Sequence, residues 1–261
     1  SADIDVVSIA SYDNSHAGQV ILALQAKKHV FVEKPLCLTR GELQQIRERY
    51  DGSRVLSGTL VLRRSPLFLK LKELWSAGEL GQVYAMEGDY NYGRLEKLTK
   101  GWRGEIPDYS VISGGGVHLA DLILWLSGEK KFKVSSFSNS IVTEGRYRDY
   151  VTSHIQFESG LIANISANFG SIYPHFHLLT VYGTRATFQN THQGSFLYRS
   201  LSTQFFAALL LRFQRRSYSS RQSFVSRLMR GSGSRRKCRE QPLCNVFHLT
   251  GLKMRSYRQC D

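Results

Sequence analysis

Asp5-Val6-Val7-Ser8-Ile9-Ala10, the turn Ser11-Tyr12-Asp13-Asn14 and the run His29-Val30-Phe31-Val32-Glu33-Lys34-Pro35 decide the fold of this chain. Ile4, Val6, Val7 and Ile9 form a short β-branched stretch that predicts a buried strand, and Ser11 to Asn14 predict the turn that leaves it. Ala17, Val20, Ile21 and Leu24 then recur at helical spacing up to Lys27-Lys28, cations that suit the negative end of a helix dipole. His29 to Val32 predicts a second buried strand. Strand, helix and strand within about thirty residues make a crossover unit, which demands a parallel sheet. Thr39-Arg40-Gly41-Glu42 has the spacing of a capping box and opens a helix predicted to run to about Tyr50.

Downstream the pattern changes. Ser65-Pro66 is a cap and first-turn pair, and Leu67, Leu71, Leu74 and Trp75 build one face of a helix that stops at Gly78. Val117 to Leu126 predicts another helix, ended by Ser127-Gly128. Around these helices lie segments of period two: Val83 to Tyr92, Phe132 to Val142, Val151 to Phe157 and, after a Glu158-Ser159-Gly160 turn, Leu161 to Phe169. Such alternation belongs to strands with one covered face, hence to a mainly antiparallel sheet. Phe176 to Tyr182 is read as the final strand. The expected fold class is therefore α/β plus α+β: part of a parallel-sheet domain, then a mainly antiparallel sheet with helices on one face.

Composition restricts what such a chain does. With 261 residues and 42% apolar content, it has enough material for one large or two modest cores, which excludes disorder throughout. The net charge of +14 suggests a polyanion partner until its location is considered. From Arg199 to Asp261 there are 14 Lys/Arg against 2 Asp/Glu, so residues 1–198 carry only +2. Cysteine divides the same way, with Cys37 in the body and Cys238, Cys244 and Cys260 in the tail, which is no disulfide framework. No signal peptide is visible, and the longest apolar run of the tail, Phe205 to Leu211, falls far short of a membrane helix. These features predict a cytoplasmic protein in a reducing compartment. After about Tyr198 the periodicity collapses into Ser/Arg/Gln-rich sequence, culminating in Gly231-Ser232-Gly233-Ser234-Arg235-Arg236-Lys237. The expected division is thus 1–58, 59–198 and a basic irregular tail, 199–261, either out of frame or disordered.

Two stretches carry the chemistry. One is Glu33-Lys34-Pro35 together with Asn14-Ser15-His16. The other is Gly101-Trp102-Arg103 followed by Ser113-Gly114-Gly115-Gly116-Val117-His118-Leu119-Ala120-Asp121. In this order they resemble the Gfo/Idh/MocA oxidoreductases, the family of glucose-fructose oxidoreductase and inositol dehydrogenase. The resemblance covers roughly Ile4 to Tyr198 and fails in the tail. It implies that residues 1–58 are the C-terminal part of a Rossmann-type, dinucleotide-binding domain and that 59–198 form a domain for substrate binding and oligomerisation. It further implies NAD or NADP as cofactor, with Asn14, His16, Glu33, Lys34 and Pro35 at its site.

The reaction so implied moves a hydride from a carbinol carbon to nicotinamide C4 while a base takes the hydroxyl proton. Lys34 is expected at the C-terminal end of a parallel strand, where open α/β sheets bind ligands, and its ammonium there polarises a substrate oxygen. His118 is the expected general base. Asp121, three residues on, is expected to orient that imidazole or bind a hydroxyl. Taken singly, a lysine before proline is usually solvated and a histidine at a helix start is usually a surface residue. The common family pattern has an aspartate four residues before the histidine, and here that position is Gly114. Either Asp121 compensates or the chain is a variant subgroup.

Tyr92, Trp102 and Arg103 are the expected substrate contacts, with Tyr90 and Arg94 beside them; ordinary packing is the bland alternative for the tyrosines. His175 and His177 share one strand face, but with no carboxylate or cysteine nearby no metal site is expected. The family's Gly-x-Gly-x-x-Gly turn does not precede Asp3, so this polypeptide by itself is expected to hold NAD(P) weakly and to be inactive. The expected partners are a small sugar or polyol and, in the full-length parent, further copies of the chain, with no membrane. Two rivals remain: a non-catalytic cofactor- or sugar-binding protein on the same fold, and a nucleic-acid binder acting through the basic tail, against which its lack of aromatic platforms speaks.

Overall fold

The computed structural model describes residues 4–172, 174–199 and 254–257. Most of the basic stretch from 199 onward, where an irregular tail is expected, lies outside the described residues. One piece of it, Met254–Tyr257, is a strand that the sequence reading did not indicate.

The parallel unit forms as its apolar spacing dictates. Strand β1 (Val6–Ile9), helix α1 (His16–Gln25) and strand β2 (His29–Val32) make the crossover, and helix α2 (Arg40–Arg49) leads to strand β3 (Leu56–Gly58). The sheet order places Met254–Tyr257 outside β1, then β1, β2 and β3, with every neighbouring pair parallel. Ile9, Val20, Val30, Val32 and Ile46 bury into one small core between sheet and helices. The capping box opening α2 is complete: the Glu42 backbone amide donates to the Thr39 hydroxyl, and the Glu42 carboxylate accepts from the Thr39 amide.

The second unit begins with helix α3 (Pro66–Ser76). Its first turn carries the expected proline, although the Ser65 side chain makes no capping bond. Strand β4 (Val83–Asn91) and the short helix α4 (Glu96–Thr99) follow. Helix α5 (Val117–Ser127) precedes strands β5 (Phe132–Asn139), β6 (Tyr150–Phe157), β7 (Ile162–Asn168), β8 (Phe176–Gly183), β9 (Ala186–Thr191) and β10 (Gly194–Arg199). They form one sheet ordered β10-β9-β8-β4-β7-β6-β5. All its neighbours run antiparallel except β4 and β7. Helices α3 and α5 cover one face, sealing Leu71, Leu119, Leu122, Ile123 and Leu126 against Met86, Ala163, Ile165 and Val181. The α/β plus α+β architecture is as expected.

Two boundaries differ from the sequence reading. β5 stops at Asn139, because the chain turns through residues 140–145 before reaching β6. Strands β9 and β10 extend the sheet beyond the strand taken as final. Their buried face includes Asn190 and Ser195, so apolar alternation misses it. These polar groups tolerate burial because they satisfy one another: Ser195 Oγ donates to Asn190 Oδ1 at 3.0 Å, and Asn190 Nδ2 to the His177 carbonyl at 2.8 Å. Among the described residues, no helix is long and apolar enough to cross a membrane.

Candidate functional site

β2 ends with its carboxyl edge facing the second unit, and Glu33-Lys34-Pro35 occupies that edge. The Glu33 amide continues the sheet pattern by donating to the Ile9 carbonyl at 2.9 Å. Thr59, just past β3, then clamps the segment. Its hydroxyl accepts from the Lys34 amide at 3.0 Å and donates to Glu33 Oε2 at 2.7 Å. Replacing Thr59 by valine keeps the shape but strips both bonds from a buried side chain. A loss of about 1–3 kcal/mol of stability is expected, read as a lower urea midpoint at unchanged slope.

Histidine 16 fixes the same edge from below. Fully buried, its Nδ1 lies 2.7 Å from the Pro35 carbonyl and its Nε2 3.1 Å from the Ser11 carbonyl. The ring thus staples together the loops that follow β1 and β2. Glu33 is half-buried with its Oε2 held by Thr59; of the other expected cofactor contacts, Asn14 is exposed and Lys34 reaches the second unit.

What Lys34 meets comes from the second unit. Residues Ile112–Gly116 form a π-helical turn at the head of α5, a widened geometry that recurs at functional sites. Lys34 Nζ donates to the Gly114 carbonyl at 3.0 Å. Two glycines of this turn are required by close packing. A Cβ at Gly115 would overlap the Tyr90 ring, and one at Gly114 would come 2.8 Å from the Tyr109 hydroxyl and 3.0 Å from Phe169 Cζ. Gly115→Ala should cost about 3 kcal/mol or more through overpacking, visible as a lower Tm together with loss of near-ultraviolet tyrosine ellipticity.

His118 stands in the first turn of α5, largely buried. Its Nδ1 has no hydrogen-bond partner among the described residues. The ring meets His177 edge to face, centroids 5.7 Å apart, and His177 meets His175 at 5.4 Å. Burial, then the Lys34 ammonium and His175, push the His118 pKa down to about 4. Burial, then His118 and His175, push His177 down to about 3. Both imidazoles are therefore neutral at physiological pH. Lys34 is also pulled below the ordinary lysine range by burial; nearby Asp13 opposes that pull and Arg103 adds to it.

The remaining expected residues are bound up within the chain. Asp121 does not orient His118. It pairs with Arg63 from the 3-10 turn before α3, Nε donating to Oδ2 at 2.6 Å with a second contact to Oδ1. At helical i,i+3 spacing the two side chains share a face, but a guanidinium within reach outbids an uncharged imidazole. Trp102 stacks on Tyr12 of the first unit at 4.6 Å and carries the Arg103 guanidinium 4.2 Å from its ring centre. Arg103 Nε donates to the Tyr109 hydroxyl at 3.1 Å and lies 3.5 Å from Asp13 Oδ2. Tyr92 is buried among Tyr90, Phe169 and His175. Among the described residues, no group of three or more His, Cys, Asp or Glu side chains is arranged to hold a metal ion.

Sequence reasoning missed Asp13 and Tyr109. Asp13 was read as a turn residue, yet it is buried at 3% exposure. Tyr109 sits in a loop without periodicity. His175 and His177 were noticed, but only the fold brings them to His118.

Residues 1–56 match the profile described as the oxidoreductase family, NAD-binding Rossmann fold, and residues 68–189 match the GFO/IDH/MocA C-terminal domain. The chain is 28% identical over 194 residues to the myo-inositol 2-dehydrogenase of Thermotoga maritima, covering 70% of this chain and 55% of that protein. It is 28% identical over 214 residues to the 1,5-anhydro-D-fructose reductase of Ensifer adhaerens, covering 77% and 59%. The chain thus spans about half the length of the curated relatives it matches. Among solved structures, an inositol dehydrogenase homologue from Azotobacter vinelandii, complexed with NADH and myo-inositol, aligns with a TM-score of 0.66 at 24% identity, covering 80% of this chain and 59% of that one. Levoglucosan dehydrogenase in complex with NADH and levoglucosan aligns at 0.69 and 22% identity, covering 78% and 59%; these likenesses speak to the fold. With both domain profiles matched in order, over residues 1–56 and 68–189, this chain belongs to the GFO/IDH/MocA family of oxidoreductases.

Proposed function

We propose that the protein serves as an NAD(P)-dependent dehydrogenase of a sugar, inositol or nucleotide-sugar hydroxyl. The observation that carries this reading is the convergence of Lys34 and His118. An amine from the edge of the parallel sheet is hydrogen-bonded to the carbonyl of Gly114, four residues before an unpartnered, buried imidazole. The names of the relatives, inositol dehydrogenases and an anhydrofructose reductase, support a cyclic polyol or sugar as substrate.

The carboxyl edge of β1 and β2 is where an open parallel sheet receives a dinucleotide, and Asn14, Lys34 and the loop after β1 are the groups placed to border it. When bound, a nicotinamide supplies the hydride acceptor at C4. The residues do the rest. The Lys34 ammonium, already oriented by Gly114, points a donor at the substrate oxygen and stabilises negative charge developing on it. His118, neutral because burial disfavours its charged form, accepts the hydroxyl proton. Arg63 holds Asp121 and so braces the helix that presents His118. We assign residues 1–58 to the nucleotide side and 59–198 to substrate binding and self-association, Trp102, Arg103 and Tyr92 lining the passage between them.

The test is oxidation of a panel of cyclic polyols and sugars, with NAD and with NADP, by a full-length version in which the family's glycine-rich turn is supplied, followed by reduced-nicotinamide fluorescence, with residues 1–261 alone expected to give no turnover. Turnover on at least one cyclic polyol is expected. Stoichiometric cofactor or sugar binding with no turnover across the panel would instead make it a binding protein on this fold.

A further inference from the structure

The cleft holds one buried carboxylate that the proposed chemistry does not use. Asp13, in the loop after β1, accepts a hydrogen bond from the Tyr109 hydroxyl at 2.8 Å. That hydroxyl also receives Arg103 Nε at 3.1 Å. It fills the space beside Gly114 so closely that a Cβ there would sit 2.8 Å away, and the Gly114 carbonyl in turn holds Lys34 Nζ at 3.0 Å. Position 114 thus contributes a carbonyl and no side chain, and the volume a side chain would take is occupied by a tyrosine whose hydroxyl is tied to a carboxylate from the other unit.

Charge balance gives this arrangement a consequence. Burying an ammonium is expensive unless an opposite charge lies near. The Glu33 carboxylate is engaged by Thr59, and Asp121 by Arg63. Asp13 is a buried anion near Lys34 that is shared with Arg103, whose Nε lies 3.5 Å from its Oδ2, and it is the largest influence opposing the loss of the Lys34 charge; Arg103, Glu33, Tyr92 and His118 are the other titratable or charged groups facing that amine.

We propose that Asp13 is a positioning residue for the reaction proposed above: linked through Tyr109 to the turn at Gly114, it supplies the negative charge that keeps Lys34 protonated in the closed cleft. This rests on the reading of Lys34 as the group facing substrate oxygen, but its test needs no turnover. The Lys34 side chain is titrated by heteronuclear NMR in protein labelled at lysine Cε, with Lys34→Met giving the assignment. Asp13→Asn keeps an acceptor for Tyr109 and removes only the charge, so the Lys34 midpoint should fall by about one pH unit or more. Tyr109→Phe removes the hydroxyl and leaves the charge, so the midpoint should not fall. Arg103→Gln removes a competing cation and should raise it, which keeps the question answerable if Asp13→Asn does not fold.

A midpoint that stays at the wild-type value in both the Asp13 and Arg103 variants, or in the Arg103 variant when it alone folds, overturns the inference and reduces Asp13 to a packing role. A full-length version without turnover on any polyol would instead remove the dehydrogenase reading and leave the titration result standing.

Discussion

Exchanging Lys34 for methionine, or His118 for asparagine, in a full-length version should each lower turnover at least about a hundredfold while leaving the fold intact. Methionine retains the apolar stem that packs along the cleft and deletes the ammonium. Because that ammonium is held in the cleft at a desolvation cost, its removal should leave stability unchanged or raise it. The loss should fall on kcat, since a donor aimed at developing charge acts in the transition state more than in the ground state. Lys34→Met has a second, separable effect. The ammonium is one of the groups that hold the His118 pKa down, so without it the residual activity should lose its acid limb at a higher pH than wild type. Wild-type rates in either variant would remove the assignment, whatever the cofactor preference proved to be.

The fold was legible where burial follows a simple period. The β1-α1-β2 crossover is written in Val6, Ile9, Val20, Leu24, Val30 and Val32, because both faces of a parallel strand and one stripe of its helix must be apolar. The capping box at Thr39 and Glu42 could be read residue by residue, since its bonds are local. Strands β9 and β10 were not legible: Asn190 and Ser195 are buried as a mutually satisfied pair, and no one-dimensional pattern distinguishes that from a polar loop. The site divided along the same line. Lys34 and His118 announce themselves by motif, whereas Asp13 and Tyr109 lie 96 positions apart and acquire meaning only when the two units close on Gly114. Asp121 shows the opposite failure. Helical spacing placed it correctly beside His118, but spacing says nothing of Arg63, which arrives from elsewhere in the chain and takes the carboxylate.

Acidification from pH 6.5 to 4.5 should destabilise this protein far more than an ordinary domain, and the cause is the pair His118 and His177. In the unfolded chain both imidazoles take up protons near pH 6.5. In the folded chain burial postpones that uptake to about 4 for His118 and about 3 for His177. Below pH 6.5 the unfolded state therefore binds protons that the native state refuses, so stability falls as pH falls, and the fall ends only when the native histidines are charged. His175, lowered in the same direction by its burial, adds to the effect. Two groups titrating across about two pH units amount to a loss on the order of 5 kcal/mol, comparable to the whole stability of many domains. Carboxylates titrate mostly below this window, which isolates the histidines.

His177→Phe preserves an aromatic ring against Tyr90 and His118 while removing the titrating group and its unpartnered buried Nε2. Its urea midpoint should decline with acid about half as steeply as that of wild type, so that the variant is the more stable of the two at pH 4.5 even if it is not at pH 7.5. Parallel pH profiles for the two proteins would show that His177 takes up its proton in the native state at the same pH as in the unfolded chain, and the neutral imidazole pair His118–His177 would be ruled out.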